Sequence, residues 1–344
     1  MMARLRPVLR ATGFVALALL LCAGLFELAG YSSLLMMQSI VAGAAGTPEA
    51  ALNSLRWALP LFVTAAGVAV SFRCGYFNVG AQGQFYLGAT AAAAVAIGLE
   101  GAPAALVVPA ALLAGIAAGA AWAGWPGLLR VRAGTDEVIT TLMGNFIANL
   151  LLIYVTSGPL KDPSGTGQVS ASRPVASAYR LSDSAGVSPA ILALVLATGI
   201  VLWLLVNRTA FGVLAGLAGR NPVMVEWQGA PTARLGLAGF LVSGGAAGLA
   251  GAMELLGPNG RLVSGFLPAH GFTAILIALV AGLSIGGVAV VSLFFGGLAA
   301  ASLYLPVIAG LPAAAIDIIN AAIALFITAR AAPRLPRPRM RPAP

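Results

Sequence analysis

Apolar stretches of about twenty residues follow one another along most of the chain, separated by short segments that hold its few charges. A stretch of this length is what an α-helix needs to cross the hydrocarbon core of a bilayer. Only 8% of the 344 residues are charged and 60% are hydrophobic, whereas soluble domains carry about 25% charged residues. The sequence therefore excludes an ordinary soluble domain and predicts an all-α, polytopic membrane protein.

Hydropathy and helix-breaking residues divide the chain into ten predicted spans, the first of them bent near Gly30. Spans two to five and spans seven to ten form two groups of opposite orientation, which predicts an inverted repeat within a single transmembrane domain, 1–344. The repeat pairs the approach to the third span, 78–83, with the approach to the eighth, 268–271. The ten spans are 12–44, 57–74, 80–99, 103–127, 136–156, 188–207, 235–256, 271–286, 288–306 and 312–330.

Basic residues indicate which loops lie inside the cell, because short cytoplasmic loops collect Arg and Lys. With the N-terminus inside, 14 of the 19 basic residues lie in cytoplasmic segments. The even number of spans then predicts that both termini are cytoplasmic. The net charge of +9 forms no basic patch interleaved with aromatic residues, so it indicates membrane topology and not nucleic-acid binding.

Three segments outside the spans are long enough to have roles of their own. Residues 157–187 form a Ser-, Gly- and Pro-rich extracytoplasmic loop, and residues 208–234 form a cytoplasmic loop. In the second loop, Asn221 followed by Pro222 is typical of a helix start, which predicts a short helix along the cytoplasmic face. Residues 331–344 form a basic, Pro-rich cytoplasmic tail expected to lie beside anionic lipid. A specific partner site is the alternative for this tail.

Residue types that catalysis or metal binding would require are scarce. Lys161 is the only lysine and lies in no glycine-rich phosphate-binding loop, so the chain is not expected to hydrolyse ATP itself. One histidine, His270, and two cysteines in separate segments give neither a recognisable metal site nor a catalytic triad. We therefore expect no catalytic residue, no metal and no cofactor bound by this chain.

Polar side chains inside spans are costly in lipid and mark candidate functional sites. Asp136 and Glu137 lie in the first turn of the fifth span, where carboxylates stabilise the helix dipole, so we interpret both as capping residues. Glu254, near the outer end of the seventh span, is either a buried tie between helices or a group on a solute path. The small residues of 243–251 predict close approach between helices.

The segment between the second and third spans is the most informative part of the chain. It reads FRCGYFNVGAQGQFYLG from Phe72 to Gly88, and its glycines, together with Asn78, should interrupt the helix. A broken helix at membrane depth is tolerated only where it is buried in protein or lines a cavity. We hypothesise that the amides of Asn78, Gln82 and Gln84 hydrogen-bond a neutral polar solute. The alternative is a plain glycine-containing loop.

The motif FNVGAQGQ, Phe77 to Gln84, resembles a signature of the permeases of ABC importers for nucleosides and related simple sugars. The family often carries Glu where this chain has Gln82, so a role that depends on charge is not expected there. The resemblance extends over nearly the whole chain. The further matching segments are EVITTLM at 137–143 with Asn145, GPLKDP at 158–163, GRNP at 219–222, the small residues of 243–251 with Glu254 and Gly257, and GFT at 271–273.

The resemblance implies the transmembrane permease subunit of an ATP-driven importer in a bacterial inner membrane. Its implied partners are a cytoplasmic ATPase, which holds ATP and Mg, a second related permease, and an extracytoplasmic solute-binding protein. The predicted substrate path comprises Asn78, Gln82, Gln84, Phe85, Asn145 and Glu254. The predicted coupling to the ATPase involves Gly219, Asn221, Pro222, Glu226 and Gly229. The alternative function is a self-sufficient secondary transporter or channel for a small polar solute.

Overall fold

The computed structural model describes residues 2–164, 169–182, 186–265 and 270–331, and these residues are mainly helical. No β-strand forms within them, although two isolated bridges join loop segments. The predicted tail lies outside the described residues from residue 332 onward. The helices are α1 (Met2–Leu28), α2 (Ser33–Ala45), α3 (Pro48–Arg73), α4 (Ala81–Gly98), α5 (Ala104–Ala133), α6 (Glu137–Ser157), α7 (Pro189–Arg208), α8 (Ala210–Ala218), α9 (Pro222–Trp227), α10 (Thr232–Glu254), α11 (His270–Val280), α12 (Ile285–Ala301), α13 (Leu305–Ile308) and α14 (Ala315–Ala331).

Five of the described helices are long and apolar enough to cross a bilayer: α3, α5, α6, α7 and α10, the last together with the π turn Leu255–Asn259 that follows it. The prediction of an all-α, membrane-spanning protein is therefore confirmed. These helices correspond to the predicted spans 57–74, 103–127, 136–156, 188–207 and 235–256.

Two of the other predicted spans differ from the helices that form. The single span 12–44 is two helices, α1 and α2, because Gly30 takes a φ of +87° and the Ser32 side chain caps a new helix start. The span 271–286 is only the eleven-residue helix α11, because Gly282 and Leu283 turn the chain at positive φ. At 1.5 Å per residue, α11 is about 16 Å long, roughly half the hydrocarbon core.

The centre of the bundle is α10, which packs along α3, α4 and α5. Its glycines meet backbone atoms of the neighbouring helices. A Cβ atom on Gly248 would lie 2.1 Å from the carbonyl oxygen of Gly115, and one on Gly251 would lie 2.1 Å from that of Phe85. Only glycine fits such contacts, so the close approach predicted for 243–251 is confirmed.

Candidate functional site

The interruption predicted between the second and third spans is present. Seven residues, 74–80, form no helix between α3 and α4, and we call this segment the joint. Gly75, its second residue, has a φ of +77°, a conformation that favours glycine. The break is shorter than the motif suggested, because Gln82 and Gln84 lie in the first turn of α4, beyond the irregular backbone.

The amides of Asn78 and Gln84 bind each other. Nδ2 of Asn78 donates to Oε1 of Gln84 at 2.8 Å, and Nε2 of Gln84 donates to Oδ1 of Asn78 at 2.9 Å. Nδ2 of Asn78 also donates to Oγ of Ser243 on α10 at 2.9 Å, and Oδ1 accepts from the backbone N–H of Gly80. Both amide side chains are buried, so this pair fastens the joint to α4 and α10.

Asn145 and Gln82 make three further hydrogen bonds to protein groups at the same place. Oδ1 of Asn145 accepts from the backbone N–H of Gly83 at 2.8 Å, and its Nδ2 donates to the carbonyl of Val79 at 2.9 Å. Oε1 of Gln82 accepts from the backbone N–H of Gly271 at 2.7 Å. The structure therefore brings together the two regions that the repeat pairs, 78–83 and the described part of 268–271.

Four of the six predicted path residues thus form one buried group, Asn78, Gln82, Gln84 and Asn145, which we call the amide cluster. It joins α4, α6, α10 and α11 through hydrogen bonds between protein groups. Breaking such bonds leaves buried donors or acceptors unpaired, at a cost of about 1–3 kcal/mol each. In this conformation the four amides are buried and bonded to protein groups.

Phe85 directly follows Gln84 in α4 and is fully buried. Its ring packs edge-to-face on His270 at 5.4 Å, and His270 packs in the same way on Trp57 at 5.5 Å. Nε2 of His270 and Nε1 of Trp57 have no hydrogen-bond partner. The three rings connect α3, α4 and α11 directly beside the amide cluster.

Glu254 lies apart from the amide cluster, at the far end of α10. It is 4% exposed, and its Oε1 lies 3.3 Å from a guanidinium nitrogen of Arg56 near the start of α3. Arg56 also stacks over the ring of Trp57 at 4.7 Å. These contacts tie α10 to α3, and a role for Glu254 on the solute path stays a prediction. A small cleft beside the pair is lined by Leu59, Pro60, Gly186, Ile191, Met253 and Pro258.

The sequence predicts only part of what the residues at the start of α6 do. Asp136 caps the helix through the N–H groups of Val138 and Ile139, as predicted. Glu137 does something else: its carboxylate accepts from the N–H of Phe77 at 3.3 Å and pairs with Arg130 at 3.3 Å.

A sequence signal for the role of Glu137 was available. Glu137, Thr141 and Asn145 are spaced four residues apart, which places them on one face of a helix. All three are buried, and all three bond backbone of the joint or of the start of α4; Thr141 accepts from the N–H of Val79 at 3.3 Å. This face of α6 therefore holds the joint in place.

The predicted short helix in 208–234 is present as α9. The Asn221 side chain caps it by accepting from the N–H of Met224 at 3.1 Å, and Pro222 occupies the first turn. Val225 is buried, whereas Trp227 is 88% exposed. The preceding helix, α8, was not predicted.

The remaining residues of the predicted coupling set lie around α9. Gly219 ends α8 and packs against the end of α3. Glu226 accepts a hydrogen bond from the hydroxyl of Thr232, and Gly229 turns the chain at a φ of +81°. The loop is therefore an ordered element with one buried and one exposed side.

Comparison with known proteins gives a family for the chain. Residues 50–328 match the family described as the permease component of branched-chain amino acid transport systems. The chain is 33% identical over 279 residues to the guanosine ABC transporter permease protein NupP of Bacillus subtilis, with 80% of each chain covered.

Two further relatives are named for glucose and for nucleosides. The chain is 34% identical over 282 residues to the glucose ABC transporter permease protein TsgB13 of Haloferax volcanii, which covers 78% of this chain and 73% of the relative. It is 25% identical over 313 residues to the nucleoside ABC transporter permease protein NupB of Lactococcus lactis, which covers 88% of this chain and 85% of the relative.

Proposed function

This chain belongs to the family of permease components of branched-chain amino acid transport systems, and we propose that it is the transmembrane subunit of an ABC importer for nucleosides or related nucleobase and sugar solutes. The observation that carries the proposal is the similarity to a guanosine permease over four-fifths of both chains. The buried group of neutral amides agrees with a neutral polar solute, because side-chain amides both donate and accept hydrogen bonds. ATP hydrolysis is assigned to a partner subunit.

The proposed topology is ten spans in an inverted repeat, with both termini in the cytoplasm. It is supported by packing, since α5 runs along α10 and α3 runs along α12, and these pairs are equivalent under the repeat. To test the orientation, Ser177→Cys and Val223→Cys, both exposed positions, are treated with an impermeant thiol reagent in intact cells. Only Ser177→Cys should react. Reaction of Val223→Cys would overturn the orientation.

The proposed substrate path includes the amide cluster, Phe85 and Glu254. We propose that the structure corresponds to a closed state of the path, in which the amides bind each other. Opening would separate α4 from α11 and free the same groups for a solute. This arrangement would compensate a nucleoside for the water it loses, since an unpaired buried polar group costs about 1–3 kcal/mol by mutational measures.

The proposed contact with the ATPase is α9 with its flanking residues Gly219, Asn221, Pro222, Glu226 and Gly229. Support comes from the exposed apolar side chains on this polar loop: Val223 is 57% exposed, and Trp227 more so. Trp227→Ala should reduce co-purification of the ATPase, because aromatic anchors dominate interfaces. Val213→Ala on α8, an apolar position 59% exposed and outside α9, is the control. Equal recovery of the ATPase with both variants would contradict the assignment.

The other proposed partners are a second related permease, membrane lipid and an extracytoplasmic solute-binding protein. The loop 157–187 is proposed to receive the binding protein. Its described parts are tied to the end of α10: Arg180 donates to the carbonyls of Gly257 and Pro258 at 3.0 and 3.2 Å. A contact made on this loop would therefore act directly on α10.

The function is tested by reconstituting the chain with its ATPase and binding protein in vesicles and measuring the uptake of radiolabelled guanosine and glucose. We expect ATP-dependent uptake that an ATPase-inactive variant of the partner abolishes. Uptake without ATP, driven by an ion gradient or simply downhill, would overturn the proposal and support the alternative of a secondary transporter or channel.

A further inference from the structure

The end of α3 touches the cytoplasmic loop backbone to backbone. A Cβ atom on Gly219, the residue that ends α8, would lie 2.2 Å from the carbonyl oxygen of Arg73 and 3.0 Å from the backbone nitrogen of Gly75. A Cβ atom on Gly75 would lie 3.2 Å from Cα of Gly219. No side chain separates the two segments, so displacement of one of them cannot be absorbed by a change of rotamer.

Arg73 connects the same point to the second half of the chain. Its Nε donates to the carbonyl of Leu283 at 2.9 Å. Leu283 lies in the turn between α11 and α12 and is the one residue other than glycine with positive φ among those described. The end of α3 therefore contacts the cytoplasmic loop on one side and the end of α11 on the other.

The amide cluster lies at the far end of the joint and at the start of α11. Within the joint, Asn78 lies three positions after Gly75. The Ser71 hydroxyl stiffens the first turn of the joint by donating to the carbonyl of Tyr76 at 2.8 Å. α11 leads from the turn at Leu283 back to Gly271, whose N–H donates to Gln82. Both routes from the cytoplasmic loop thus end at the amide cluster.

We propose that Arg73, Gly75 and Gly219 are the positioning residues through which a movement of the cytoplasmic loop reaches the joint and α11. Gly219 transmits the movement by its backbone contact, and Arg73 makes α11 follow α3. This inference rests on the proposed function, because it takes the ATPase as the source of the movement. It assigns a role to a contact within the chain, separate from the surface that meets the ATPase.

The test uses Gly219→Ala, with Gly216→Ala as the matched control. Gly219 has ordinary helical φ and ψ, so alanine is strained there by the contacts with the backbone of Arg73 and Gly75. A Cβ atom on Gly216, one turn earlier in α8, meets nothing within 4 Å. The reporter is Phe77→Cys in the joint, a position 47% exposed, while the two natural cysteines are buried.

The reaction rate of this cysteine with a maleimide is measured in the complex with the ATPase, with and without ATP. We expect ATP to change the rate in the chain that carries Phe77→Cys alone and in the chain that carries Phe77→Cys with Gly216→Ala. In Gly219→Ala the ATP-dependent change should shrink by roughly 2- to 30-fold, the range of coupling effects along such routes. Arg73→Gln should also reduce it, and Arg73→Lys should restore part of it.

The outcomes separate the two hypotheses. If the ATPase does not co-purify with the natural chain, the proposed function fails. If it co-purifies and the natural chain responds to ATP, but Gly219→Ala and Arg73→Gln respond equally, only the inference is overturned. No response in the natural complex overturns the inference as well. If Gly219→Ala does not assemble, the result with Arg73→Gln decides.

Discussion

α10 and α7 are both apolar enough to cross a bilayer, but they occupy opposite environments. Within the most apolar part of each helix, 78% of the residues of α10 are buried inside the protein, against 22% in α7. The difference follows residue size. α10 carries the stretch SGGAAGLAG, whereas α7 exposes Leu196, Ile200 and Val201 at about 60% each.

The comparison shows why hydropathy alone does not locate the core of a membrane protein. Lipid tails are as apolar as leucine, so burying a leucine against another helix gains little over leaving it in lipid. Small residues gain more, because they let two backbones come into van der Waals contact. In this pair, α10 with its small residues takes the centre, and α7 with its large ones lies at the periphery.

The strongest test of this comparison is Gly248→Leu in α10. Its Cβ would lie 2.1 Å from a carbonyl oxygen of α5, and backbone cannot move aside as a side chain can, so we expect loss of the folded protein. The measurement is recovery of monodisperse protein in detergent. Gly286→Leu in α12, where the Cβ meets nothing within 4 Å, is the control and should fold.

The next test removes the ion pair that ties α10 to α3. Glu254→Gln leaves the charge of Arg56 uncompensated, and breaking a buried pair costs about 3–5 kcal/mol. We expect a large fall in the thermal midpoint of the purified protein. The double variant Arg56→Gln with Glu254→Gln should recover most of it. Full stability of the single variant would mean that the pair does not hold the two helices.

A smaller effect is expected from Asn78→Leu, which removes the centre of the amide cluster. Gln84 and Ser243 lose a partner, at a cost of about 1–3 kcal/mol, and guanosine uptake per folded molecule should fall if the cluster opens onto the path. Asn207→Leu is the control, since Asn207 is exposed and bonds only within its own helix. If a stable Asn78→Leu protein takes up guanosine as fast as the natural chain, the amide cluster is not part of the path.

The smallest effects are expected on the exposed apolar helix faces. Leu196→Ala on α7 and Leu150→Ala on α6, 64% and 63% exposed, should each change stability by about 0.5 kcal/mol or less. The two variants also show whether each helix face contacts lipid or the second permease. If co-purification of the second permease falls with Leu150→Ala alone, that partner contacts α6. Equal recovery of the second permease with both variants would mean that both faces contact lipid.

The sequence by itself determined the features that depend on neighbours in the chain. The membrane class follows from hydropathy, the start of α9 from the pair Asn221 and Pro222, and the break near Gly75 from glycine's access to positive φ. The capping role of Asp136 belongs with them, because its partners lie two and three residues away.

The tertiary structure decided what the polar side chains do. Asn78 finds Ser243 165 positions away, and Gln82 finds Gly271 189 positions away, so no local pattern could show that these amides bind protein groups. The same holds for Glu254 with Arg56, and for Gly219 against Arg73. The physical reason is that a buried polar group must be paired, and which group pairs with it is settled only when distant helices pack.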